Sequence, residues 1–225
     1  MNTQAFVNAV ILKATGKAST IQPGSTKYIR VIDMANGMID EYQYMPDVDW
    51  NSTYDPFFEL AVVDANDTYT LPETIKKVSD DPSASITIKI PGQDDVTYRT
   101  VSPQLLYEET GKVCSIIGRT LRFPHSFSND DKEFGHTVYA PVYSLISKLS
   151  SSAGHAADPV PVDIAQWLVI RTAAEYTRSD MLKQNQYGNL LAEANQFVQR
   201  MMTDNEASQA SMYVGGSWRM RTGGV

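Results

Sequence analysis

Few residues in this sequence stand in patterns that do chemistry. Asp64-Ala65-Asn66-Asp67-Thr68 begins like a calcium loop, which presents oxygen ligands at alternate positions. It then lacks the glycine at the sixth position, where Tyr69 stands, and the glutamate at the twelfth, where Ile75 stands. Asp47 and Asp49 near Asp55 offer a carboxylate group of the sort used for general acid–base work. They sit in a polar turn beside Pro46, however, and read as solvated loop acids. His125 stands beside Ser126 and Ser128, but adjacency in sequence does not make a nucleophile and its base. The three histidines, His125, His136 and His155, are scattered, and the single Cys114 lies in the apolar run Val113-Cys114-Ser115-Ile116-Ile117. That is no zinc spacing, no disulfide partner exists within the chain, and the thiol reads as a small buried hydrophobe. No phosphate-cradling glycine loop, dinucleotide fingerprint or nucleophile elbow is present. The expectation is no catalytic residue, no metal and no cofactor.

Charge says more than motif. The net charge is −7, which argues against tight, extended nucleic-acid binding. Between Arg30 and Lys76 there is no Lys or Arg, while ten acids fall in that span. A solvated acidic face is one reading. The other is a surface, with Asp47, Asp49, Asp55, Asp64 and Asp67 as its candidates, that repels DNA or meets a basic partner. No signal peptide is visible, and no window approaches the ~20 apolar residues of a membrane span, so a cytoplasmic site of synthesis and use is expected.

The elements that must position these residues read as helix, then strand, then helix. A first helix is expected over 3–15, with Phe6, Ala9, Val10, Leu12 and Lys13 on helical spacing and Gly16 at its end. Tyr28, Val31, Ile32, Ala35, Met38, Ile39 and Tyr42 make one continuous stripe, capped by Ser25 or Thr26 and stopped by Pro46. From Trp50 onward short strand-like runs alternate with turns. Ile86, Ile88 and Ile90 fall on one face of such a strand. Helical spacing returns after Val162 in the stripe Ala165, Leu168, Val169, Thr172, Ala173, Tyr176, and again from Tyr187 to Met201.

The expected fold is therefore α+β. N-terminal and C-terminal helix pairs form a bundle, with an inserted antiparallel β domain of sandwich or barrel type and an extended C-terminal tail. The expected segments are 1–46 for the first pair, 50–149 for the β domain, 162–204 for the second pair and 207–225 for the tail. The tail has little periodicity and no acid. Met212, Tyr213 and Trp218 read as anchors, with Arg219 and Arg221 as charge contacts, for a peptide that orders on a partner surface.

One ordered set of motifs resembles a known family. A helix with an internal Asn, Ile32-Asp33-Met34-Ala35-Asn36-Gly37-Met38-Ile39-Asp40-Glu41, is followed by Trp50. A strand ending in Leu-Pro, Tyr69-Thr70-Leu71-Pro72-Glu73, comes next, then Gly118-Arg119-Thr120-Leu121-Arg122-Phe123-Pro124 and the strand Val138-Tyr139-Ala140-Pro141-Val142-Tyr143. A Pro-rich loop leads to the last helix pair. In order and spacing, over nearly the whole chain, this resembles the head-to-tail adaptors of tailed bacteriophages. The resemblance implies a structural virion protein of the neck, made in the bacterial host cytoplasm, that forms a ring, commonly a dodecamer, below the portal protein. It implies that the helical part faces the portal, that the tail docks between portal subunits, and that the β part meets the next neck or tail protein. DNA would pass through the lumen unbound. Two other classes stay open: a tail-tube, tail-terminator or capsid accessory protein, and a cytosolic enzyme or small-molecule-binding domain.

Overall fold

Helix α1 (Thr3–Thr15) begins at Asn2, whose side chain accepts the Ala5 amide at 2.8 Å, and ends at Gly16, which takes φ +69°. The cap is thus Asn2, while Thr3 turns its hydroxyl to the Asp158 carbonyl. The buried stripe is Phe6, Val7, Val10, Ile11 and Ala14, and Leu12 lies outside it, about half exposed. Helix α2 (Thr26–Gln43) starts at Ser25 and buries Tyr28, Val31, Ile32, Ala35, Ile39 and Tyr42 as its periodicity predicts. These coordinates are a computed structural model that describes residues 1–46, 48–79, 85–178 and 180–221, with side chains as far as 208. The chain divides into a helical unit, Met1–Ser52 with Ile146–Val225, and a β unit, Thr53–Leu145.

In the helical unit the expected pairing of helices is overturned. Helix α3 (Ala165–Arg178) is the hub: α1, α2 and α4 (Gln184–Arg221) all pack on it, while α1 and α2 barely touch. The reason lies in a second row of residues. Besides Leu168, Thr172 and Ala173, α3 buries Trp167, Ile170, Ala174 and Thr177. A helix apolar on most of its circumference needs partners on more than one side. Trp50 stacks on Tyr42 with ring centroids 4.2 Å apart, and Trp167 leans on the same tyrosine at 5.3 Å.

Two polar residues of α2 hold the returning chain. Asn36 receives the Leu149 amide at 2.8 Å and donates to the Leu149 carbonyl at 3.0 Å. Gln43, buried, accepts the Ile146 amide at 3.1 Å. On the outgoing side, Trp50 Nε1 donates to the Tyr42 carbonyl at 3.0 Å.

The β unit overturns the other half of the expected fold. Its strands are β1 (Tyr54–Val62), β2 (Thr68–Thr70), β3 (Ile75–Val78), β4 (Ile86–Lys89), β5 (Val96–Thr100), β6 (Val113–Ile117), β7 (Thr120–Arg122) and β8 (Thr137–Ser144). They form a single eight-stranded sheet in the order β1-β8-β4-β5-β6-β7-β2, with β3 on the far half of β8, curled into a half-barrel rather than two stacked antiparallel layers. The sheet is mixed, because β5 and β6 run parallel. A parallel pair needs a crossover of a dozen or so residues. The segment between these strands supplies it and carries its own small core of Val101, Leu106 and Val113.

The curl closes around aromatic side chains. Phe123, fully buried, meets Tyr69, Tyr98 and Phe127 edge-on at 5.9, 4.9 and 5.1 Å. Such contacts are worth about 0.5–1.5 kcal/mol each beyond burial. Ile86, Ile88, Val138, Ala140 and Val142 fill the same core from the alternating positions of β4 and β8.

The expected extended tail is also corrected. The backbone from 207 continues α4 to Arg221. Among the described residues no helix is long and apolar enough to cross a membrane.

Candidate functional site

The candidate acids fall in different settings. Asp49 belongs to the helical unit, and its carbonyl accepts Asn205 Nδ2 at 2.8 Å. Asp55, Asp64 and Asp67 belong to the β unit. Asp55 accepts its neighbour Phe57's amide at 2.9 Å on strand β1. Asp64 ties its own turn: Oδ1 accepts the Asn66 amide at 3.0 Å and the Tyr69 hydroxyl at 3.1 Å. The Asn66 amide holds its carboxyl below the usual carboxylate range. Asp67 accepts the Thr68 hydroxyl at 2.7 Å and faces Arg122 at 3.6 Å; that hydroxyl, then the guanidinium, lowers its pKa too. Two of the candidate acids are thus engaged as turn ties. Asp47 lies outside the described residues, as do the side chains of Met212, Tyr213, Trp218, Arg219 and Arg221.

In the β unit the structure assembles a charged cluster that spacing did not reveal. Glu133, buried, receives Lys112 Nζ, while the Tyr98 hydroxyl donates to the same oxygen at 3.4 Å. Lys112 also lies over the Tyr98 ring, 5.4 Å from its centroid. Burial pushes the Glu133 carboxyl up, but the Lys112 bond and charge outweigh it, and the net pKa falls below the ordinary value. The Tyr98 hydroxyl is pushed well up by burial and by the Glu133 charge. Together with His125, Asp131 and Lys132 these residues line a cavity of about 480 Å³. A carboxylate ionised against a lysine is a poor base, so the cluster acts as an ion-pair lock between the start of β6 and the loop before β8. Its only sequence signal was a Glu in a polar loop, which carries no information about burial.

Cys114 is buried, and desolvation pushes its thiol up to about 12, so it is not a nucleophile at neutral pH. Among the described residues no group of three His, Cys, Asp or Glu could hold a metal ion.

The remaining candidates are surfaces. On the outer face of the sheet, Tyr139 and Tyr143 alternate with the buried residues of β8. Lys89 Nζ lies 4.4 Å from the Tyr139 ring centroid and 4.8 Å from that of Phe57, and Tyr54 leans on Tyr143 at 5.1 Å. In the helical unit, α4 is 38 residues long against 14 for α3. Its packed residues are Leu190, Ala194 and Val198, followed by the partly buried Met201 and Met202. Asn205 then pins it: beside its bond to Asp49, its Oδ1 accepts the Asn51 amide at 2.8 Å. Asn205 is the last described α4 side chain bonded to another part of the unit. The helix runs on to Arg221, roughly 24 Å further at ~1.5 Å per residue. Searched against protein-family models and against curated proteins, the chain matches none.

Proposed function

We propose that this chain is a structural adaptor of a tailed-phage neck, which forms a ring below the portal protein, attaches the next neck or tail protein and lets DNA pass without specific binding. The observation that carries the reading is the course of α4. It packs on α3, is pinned by Asn205, and then continues for several turns toward Arg221. A helical arm bearing Met212, Tyr213, Trp218, Arg219 and Arg221 has the composition of a docking element, in which aromatic anchors supply burial and arginines supply charge contacts. The order of motifs from Ile32 to Tyr143 supports the same reading. In a ring, weak arm contacts repeated by many copies add to a stable attachment.

The test is capture of partners by tagged full-length chain from cells producing virions, beside a variant ending at Glu206. The expected result is recovery of the portal protein and tail components by the full chain. The shortened chain should keep its thermal transition but lose the portal. Portal binding by the shortened chain removes the arm from the mechanism. Recovery of metabolic proteins alone refutes the neck assignment.

A further inference from the structure

The turn between α3 and α4 places two large apolar side chains in water: Met181 is 88% exposed and Leu182 97%. They are not on a slack loop. Asp180 caps a short 3-10 turn, accepting the Leu182 amide on its carboxylate at 3.1 Å and the Lys183 amide on its carbonyl at 2.9 Å. The knob is thus pre-shaped, which lowers the ordering cost of docking. Asp180 and Lys183 flank it as an ion pair at 3.5 Å.

The same unit carries a socket. Met1, Val162, Ala165 and Val169 line a groove of about 430 Å³ where α1, α3 and α4 meet, with Lys13 and Glu193 paired at 2.8 Å on its rim. Val162 is 81% exposed. The groove has an apolar floor rimmed by one base and one acid, and the knob is apolar and flanked by one acid and one base.

We propose that the Met181–Leu182 knob of one copy docks in the Met1–Val162–Val169 groove of the next, with Asp180 against Lys13 and Lys183 against Glu193. A copy cannot fill its own groove. Val169 and the C-terminal end of α3 at Arg178 are roughly 14 Å apart along the axis at ~1.5 Å per residue, and the knob lies beyond that end. Knob and socket are different patches, so the contact is heterologous and propagates head to tail, as rings and filaments require. Closure into a ring rests on the neck-adaptor reading; the contact itself does not.

The test uses Leu182→Cys and Val162→Cys on otherwise intact chains, with a short bis-maleimide; buried Cys114 stays silent. A mixture of the two single variants should give one cross-linked dimer. The double variant should give a ladder, and neither single variant alone should give a dimer. Adding Leu182→Asp to the Val162→Cys partner leaves its socket intact and should not weaken the mixed dimer, whereas Val169→Asp in that partner should weaken it at least about tenfold. Dimers of Leu182→Cys alone, or no dimer in the mixture at high protein concentration, overturn the contact. Portal capture without the cross-link leaves the neck reading standing, and the cross-link without portal capture leaves the contact standing.

Discussion

Lys112→Met removes the lysine partner of a buried carboxylate and leaves Glu133 the 3.4 Å bond from Tyr98, a bond from its own backbone amide and the Lys132 charge. Breaking a fully buried pair costs about 3–5 kcal/mol. Here the lysine side chain is 45% exposed and the glutamate 7%, so water screens one side, and the expected loss at pH 7 is about 1–3 kcal/mol. The pH dependence separates this from a packing effect. In the native protein the folded pKa of Glu133 lies below its ordinary value. Its contribution is therefore fully present above the unfolded pKa of about 4.3 and is lost as pH falls through the folded value. In the variant the Lys112 bond and charge are gone, so burial weighs more and the folded pKa rises; ionisation at neutral pH then costs more than in the native protein, and protonation relieves it. The deficit should be large at pH 7 and shrink toward pH 4. Urea titrations at both pH values, followed by a β-sheet signal, measure it. A deficit below about 0.5 kcal/mol at pH 7, or one unchanged at pH 4, refutes the ion-pair lock.

Other outcomes follow from single contacts. Trp50→Phe keeps much of the stack on Tyr42 but leaves the Tyr42 carbonyl without its indole donor, and should cost the helical unit about 1–3 kcal/mol by chemical denaturation. Asn205→Ala removes two side-chain bonds to the 49–51 backbone; amides of α4 beyond Met202 should exchange faster while those near Ala194 keep their protection. Iodoacetamide at pH 8 should leave Cys114 unmodified in the native protein and alkylate it in urea, because its thiol is buried and its pKa is pushed up to about 12.

Where one side chain per turn decided burial, the sequence was a good guide. Tyr28 through Tyr42 lie as spaced, and Ile86, Ile88 and Ile90 are all buried on one face. The failures have physical causes. In α3 the reading stopped at one stripe and passed over Trp167, Ile170, Ala174 and Thr177, the row that makes the helix a hub. Strand spacing cannot tell one curled sheet from two layers, nor foresee that β5 and β6 run parallel, since that depends on a crossover. Beyond 207, Ala207, Gln209, Ala210 and Met212 favour helix by propensity without forming a stripe, so a reading based on periodicity expected an extended chain. Asn36 and Gln43 stand outside the apolar stripe of α2, and nothing in their spacing announces that they bind the backbone at Leu149 and Ile146. The Glu133 cluster was illegible because its members are distant in sequence.

Those α2 bonds bear on how the chain tolerates change. Tyr42 and Gln43, adjacent at the end of α2, hold the points where the polypeptide departs at Trp50 and comes back at Ile146. The return is gripped through main-chain groups at Ile146 and Leu149, with Lys148 paired to Asp40 at 2.7 Å beside them. Whatever connects these two points is a loop with clamped ends, and its closure entropy grows by only about 0.6 kcal/mol per doubling of length. Residues 53–145 therefore occupy a graft site. Replacing them with a brief linker, or with another domain whose ends lie close together, leaves the helical unit its full set of internal contacts. Such a scaffold can exchange its β unit while keeping its helical unit constant.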